Sequence, residues 1–112
     1  MDKTIAITGA TGFAGGHAVS ELLSRGHRLR ALVRDPQRAH LPASVEVVQG
    51  DLFDAEALDR LLRGADAVLH LVGAIWALTE LDYIRVNAHG ALSLAEASLR
   101  HGARRFVHVW SF

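Results

Sequence analysis

The 112 residues are half apolar, about a fifth charged and free of cysteine, the make-up of one globular domain rather than a tail, a fibre or a disulfide-stapled module. Twelve basic residues balance twelve acidic ones, so no cationic surplus draws the chain to nucleic acid or to an anionic membrane, and without cysteine there is no thiolate metal site or nucleophile. The longest mostly apolar run, residues 67–78, is broken by His70 and Gly73 and falls short of the roughly 20 residues that span a bilayer. The start, Met1-Asp2-Lys3-Thr4, also lacks a secretory leader, so the expectation is a cytoplasmic protein with no nucleic-acid or membrane partner.

Thr4 to Thr8 is a β-branched run, and the glycine-rich residues Gly9 to Gly16 stop it. Ala14, Ala18, Val19, Leu22 and Leu23 recur at helical spacing from Phe13 to Arg25, and Gly26 is placed to end that helix. Leu29 to Val33 is extended and apolar. Asp35-Pro36 then supplies a cap and a first-position proline for a short helix. Val45 to Val48 reads as a third strand, and Asp54 caps a helix through Leu62, with Glu56 in its first turn and Gly64 beyond its end. Ala67 to Leu71 is a fourth strand. A long helix from about Thr79 to Arg100 keeps Leu81, Ile84, Ala88, Ala91, Leu92, Ala95 and Leu99 on one apolar face, Gly102 closes it, and Arg105 to Trp110 is a fifth strand.

Strands alternating with helices imply parallel strands joined by crossovers, a doubly wound α/β sheet in a single domain over residues 1–112. The fifth strand reaches the end of the chain with no helix after it. The sheet is therefore expected to be incomplete at its carboxyl side, with an open edge suited to a second copy or a protein partner.

In such sheets the ligand sits beyond the carboxyl ends of the strands, where strand order reverses, and the first strand's loop lies there. Gly9-Ala10-Thr11-Gly12-Phe13-Ala14-Gly15 fits a diphosphate on backbone amides and a helix amino terminus, which needs residues without side chains where the backbone turns and phosphate approaches. Gly9 and Gly12 meet that need, Gly15 lets helix and strand approach, and Thr8 and Thr11 offer hydroxyls near the phosphates. The spacing is G-x-x-G-x-x-G, neither the G-x-G-x-x-G fingerprint nor a P-loop. The simpler reading, a turn that only reverses the chain, stays open on this motif alone.

Thr8-Gly9-Ala10-Thr11-Gly12-Phe13-Ala14-Gly15 resembles the nucleotide loop of extended and atypical short-chain dehydrogenases/reductases, the NAD(P)-dependent epimerase/dehydratase superfamily. Ala31-Leu32-Val33-Arg34-Asp35-Pro36, Gly50-Asp51-Leu52, Val86-Asn87-Ala88-His89-Gly90 and Arg105-Phe106-Val107-His108-Val109 agree in order, so the resemblance covers essentially the whole chain and implies a Rossmann-like amino-terminal half. It further implies a dinucleotide ligand. Arg34, at the end of the second strand, implies NADP by pairing with its extra phosphate, with Arg38 as helper, while the adjacent Asp35 leaves NAD open. Asp51 and the amide of Leu52 correspond to the adenine edge, Leu71, Val72 and Gly73 to the cofactor path, and Asn87 to a helix asparagine that supports the active site. Seven histidines without metal-ligand spacing read as scattered core and surface residues, and Trp76 and Trp110 as core or interface.

The family's chemistry uses a tyrosine with a lysine four residues later, because a phenol with a pKa near 10 needs a neighbouring cation to react near neutrality. Here the only tyrosine, Tyr83, is followed four positions on by Asn87, and Lys3 is the only lysine among 12 basic residues. Ser111 stands where the family has its serine. The expectation is the nucleotide-binding portion of a reductase, epimerase or dehydratase that is not catalytically self-sufficient. The alternatives are a non-catalytic dinucleotide-binding regulator or accessory subunit, and a structural module that binds no nucleotide.

Overall fold

The computed structural model describes residues 3–72 and 80–110, with the backbone alone for residues 13, 14, 72, 80–87 and 110. In chain order the elements are β1 (Thr4–Thr8), α1 (Phe13–Ser24), β2 (Arg28–Val33), β3 (Glu46–Gln49), α2 (Ala55–Leu62), β4 (Ala67–Val72), α3 (Glu80–Arg100) and β5 (Arg105–Trp110). The strands form a five-stranded sheet in the order β3-β2-β1-β4-β5, and every pairing is parallel. Strand order therefore reverses between β1 and β4, and the expected doubly wound class is observed.

Alternation along the strands divides the core in two. Ile5, Ile7, Leu29, Ala31 and Val33 face α1 through Val19, with Ala18, Leu22 and Leu23 packed against them. Ala6, Leu32, Val48 and Val68 face α2 and α3 through Leu58, Leu61, Leu62, Leu94 and Ala97. Short-range signals set the helix ends. Gly26, at φ 85°, follows α1 and donates to the Leu23 carbonyl at 3.0 Å. Asp54 caps α2, its Oδ1 accepting from the Ala57 amide at 3.2 Å, and Glu56 lies in the first turn.

Two expectations are corrected. After Asp35-Pro36 there is a turn and no helix: Asp35 Oδ1 accepts from the Gln37 amide at 3.2 Å, the Asp35 carbonyl accepts from Arg38 at 3.1 Å, and the chain then runs on irregularly. Ala39 and Leu41, two residues apart, both pack onto the α1 side of the core, which extended chain permits and a helix does not. Among the described side chains of α3, Gly90, Leu94, Ala97 and Ser98 are buried, whereas Ala88, Leu92 and Leu99 are exposed and Ala91 and Ala95 half-buried. The helix thus buries Leu94 flanked by the small residues Gly90, Ala97 and Ser98, and Gly90 lets its backbone approach Leu52. A Cβ on Gly90 would stand 2.8 Å from Leu52 Cδ1. The side chains of Leu81 and Ile84 lie outside the description.

Candidate functional site

The chain leaves β1 at Thr8 and enters α1 through the glycine loop, at the reversal of strand order. Gly9 has φ 75°, in the left-handed region, and a Cβ there would collide with the Leu71 carbonyl oxygen of β4. A Cβ on Gly15 would strike the Gly9 carbonyl, so this glycine seats α1 against the loop. Gly12 differs. It is the N-cap of α1 with extended backbone, and a Cβ there would meet only the Gly9 carbonyl, at 3.6 Å. Nothing among the described residues requires glycine at that position.

The head of α1 is electrostatically open. The amides of residues 13–15 precede the first intrahelical donor, the Gly16 N–H bonded to the Gly12 carbonyl, Gly12 provides no side-chain cap, and no acidic residue lies in the first turn. In α2 the corresponding end is neutralised by Asp54 and Glu56. A cleft of about 450 Å³ flanks the head of α1, walled on one side by Thr11, Gly12, Gly16 and Ser20 and on the other by Arg38, His40 and Pro42. The rest of its lining is apolar, from Ala10, Val19, Leu23 and Leu41.

The other expected residues surround this loop. Arg34 is exposed at the end of β2, with no ion-pair partner among the described residues, and is not on the cleft wall. Arg38 is on that wall, and its Nε lies 3.4 Å from Asp35 Oδ2. Asp35 thereby has one carboxylate oxygen on the Gln37 amide and the other on Arg38. Asp51 is exposed beyond β3, and its Oδ1 accepts from the Phe53 amide at 2.8 Å. Leu52 is half-buried beneath Gly90, and Leu71 lies with its carbonyl against Gly9. Thr11 is exposed on the loop, Phe13 and Ala14 open α1, and Val72 ends β4 opposite Trp110. Gly73, Trp76 and Ser111 lie outside the described residues, as does the side chain of Asn87.

The Thr8 hydroxyl, expected beside the phosphates, is directed elsewhere. Thr8 is 4% exposed, and its Oγ1 shares a 2.5 Å hydrogen bond with His70 Nδ1. His70, 2% exposed, stacks on His108 of β5 with ring centroids 4.8 Å apart. Burial, with the like charge of His108 adding to it, lowers its pKa to about 4. Sequence reasoning also passed over His40 on the cleft wall, because residues 36–44 carry no periodicity to place it.

A parallel sheet in this order with a glycine loop after its first strand defines a dinucleotide-binding α/β domain. The model of the NAD dependent epimerase/dehydratase family matches residues 5–111, and the chain belongs to that family. It is 49% identical over 109 residues to ceramide reductase of Caulobacter vibrioides, covering 96% of this chain and 34% of that protein. To UDP-glucose 4-epimerase of Azospirillum brasilense it is 35% identical over 113 residues, covering 92% of this chain and 32% of that protein. The chain thus spans about a third of the length of these relatives. A short-chain dehydrogenase/reductase superfamily protein from Agrobacterium tumefaciens with bound NAD superposes with a TM-score of 0.75 at 32% identity, covering 94% of this chain and 31% of that one. A mutant of uronate dehydrogenase from the same organism, complexed with NAD, gives 0.78 at 31% identity, covering 99% and 42%. Among the described residues no helix is long and apolar enough to cross a membrane.

Proposed function

We propose that this chain holds the adenosine and diphosphate half of NADP(H) and is the nucleotide-binding portion of a reductase- or epimerase-like protein. The observation that carries the reading is Gly12, a glycine at the open head of α1 that no contact among the described residues requires. A residue without a side chain is needed there if a ligand lies against the backbone, and the uncapped amides call for that ligand to be anionic. Residues 12–15 then hold the diphosphate, and Asp51 and the amide of Leu52 hold the adenine edge. Arg38 and Arg34 face the extra phosphate of NADP. Asp35 favours NADP over NAD because both its carboxylate oxygens are engaged within the turn rather than turned to a ribose. The cofactor, when bound, supplies or accepts a hydride. The residues described here bind and orient it, and Tyr83 and Lys3 form no Tyr-x-x-x-Lys pair to move a proton.

Titration of the folded chain with NADPH and NADH tests this reading. Saturable binding is expected, tighter for NADPH, with the preference reduced in Arg34→Asp. Gly12→Asp keeps an acceptable N-cap and so leaves the melting temperature unchanged or slightly higher. It should weaken both cofactors by about a hundredfold, equivalent to about two charge-assisted hydrogen bonds of roughly 1.5 kcal/mol each. Undiminished affinity in Gly12→Asp, or no saturable binding by the folded parent, would overturn the proposal.

A further inference from the structure

The registered pairing of β1 with β4 ends at Thr8 opposite His70, while β4 continues for two more residues paired with β5, Leu71 with Val109 and Val72 with Trp110. At that point the chain leaves the sheet into the glycine loop. Within the loop, the backbone bonds are Gly12 N–H to the Gly9 carbonyl at 3.2 Å and Gly16 N–H to the Gly12 carbonyl at 2.9 Å. Both are local, so neither fixes the loop's direction relative to the sheet. Two contacts from successive residues of β4 tie the start of the loop to the sheet: the His70 ring bonds the Thr8 side chain, and the Leu71 carbonyl abuts Gly9 where a Cβ would clash.

The His70 ring is held in turn from the far side, stacked at 27° on His108 and tilted against Phe106. Its Nε2 is buried without a partner, so the bond to Thr8 is the one hydrogen bond its side chain makes among the described residues. A buried polar ring with a single partner binds that partner firmly, because losing it would leave both groups dry and unpaired.

We infer that His70 is a positioning residue for the phosphate loop, aiming the amides at the head of α1 by holding the Thr8 side chain at the last pair of the β1–β4 ladder. The inference rests on the dinucleotide reading for its consequence, not for its geometry. His70 acts through Thr8 and touches no ligand. The adenosine end of the cofactor is bound elsewhere, so loosening the tie weakens NADPH and NADH by the same factor.

The test combines Thr8→Val, which keeps the β-branched shape and removes the hydroxyl, with His70→Leu, their double variant, Thr8→Ser and His70→Asn. Amide hydrogen exchange is read in the ligand-free protein, and affinity is read for both cofactors. Thr8→Val and His70→Leu should each speed exchange at Gly12 and Gly16 about tenfold relative to the Leu58 and Leu61 amides of α2, and weaken both cofactors about tenfold. The double variant should be no worse than either single one, while Thr8→Ser, which keeps the hydroxyl, and His70→Asn, which keeps a polar atom near the Nδ1 position, should restore loop protection and affinity. Unchanged exchange at the loop glycines in Thr8→Val would overturn the inference, as would equal acceleration in α2, which marks general loosening of the core. Additive effects in the double variant would overturn it too. If the folded parent binds neither cofactor, the dinucleotide proposal falls, and the exchange comparison still decides whether His70 holds the loop.

Discussion

His70 also carries a pH dependence that can be separated from that of the other titrating groups. Its folded pKa of about 4 lies below the ordinary imidazole value of 6.5, so as pH falls the unfolded chain takes up a proton before the folded one does. The stabilising contribution is fully present above pH 6.5 and is lost as pH falls from there through 4. At pH 5 the loss is about 2 kcal/mol, from about 1.4 kcal/mol per pH unit over that part of the window. Asp59 moves in a different range: its hydrogen bond to His101 at 3.0 Å lowers its carboxyl pKa, so its contribution persists until pH falls below the ordinary carboxylate range. Urea unfolding at pH 7 and pH 5 should therefore show a steeper fall for the parent than for His70→Leu, and parallel falls would remove His70 as the source. None of this is legible in the sequence. Thr8 and His70 stand 62 residues apart, and only the parallel register brings them together. The glycine loop, by contrast, is legible because its demands are local: a turn at Gly9, a close approach at Gly15 and a bare backbone at Gly12.

At the scale of elements, the strands and helices follow from their periodicity, and the orientation of α3 shows where periodicity stops being enough. Alanine and leucine occur on more than one side of this helix, so a stripe through Ala88, Leu92, Ala95 and Leu99 is as regular as the buried one through Gly90, Leu94, Ala97 and Ser98. Side-chain size decides between them. The face bearing Gly90 packs within reach of Leu52, whereas Leu99 is exposed to 79%. The buried stripe also contains Ser98, which an apolar pattern passes over; its Oγ donates to the Leu94 carbonyl at 2.7 Å, so burying it leaves no orphaned hydroxyl. Leu94→Ala should accordingly cost about 2–5 kcal/mol, and Leu92→Ala and Leu99→Ala within about 0.5 kcal/mol of nothing. Equal costs at Leu94 and Leu99 in chemical denaturation would place the helix in the other orientation. The turn after Asp35-Pro36 teaches the same lesson on a smaller scale. A cap and a proline are permissive signals, and Ala39 and Leu41 settle the matter by what they bury against.

At the scale of the whole molecule, the charged side chain of Arg30 joins the sheet to a helix layer. Arg30 stands within β2, two residues after Arg28, opposite Ala6 on the face that α2 covers. Its Nη1 donates to the carbonyls of Arg60, Leu61 and Arg63 at 3.2, 2.9 and 2.7 Å, and its Nε to Glu46 of β3 at 2.6 Å. The end of a helix leaves carbonyls without partners and a partial negative charge. In α2 the Asp59 carbonyl accepts from Arg63 and that of Leu62 from Ala65, so Arg30 completes the set at Arg60 and Leu61. The guanidinium thus ties β2, the edge strand β3 and the last turn of α2 into one unit. Exposed ion pairs contribute little, and Glu46 is largely in water, so most of the effect comes from the carbonyls. Arg30→Met keeps the length and apolar stem of the side chain while leaving the Leu61 carbonyl half-buried and unpaired, which should lower unfolding free energy by about 2–3 kcal/mol. Arg30→Lys should recover less than half of that, because its side chain is one bond shorter, so the ammonium falls short of the Nη1 position where the three carbonyls converge. The Glu46→Ala change, which spares the carbonyls, should cost under about 1 kcal/mol. If Glu46→Ala instead matched Arg30→Met in urea unfolding, the ion pair and not the helix end would be the part of this contact that holds the layers together.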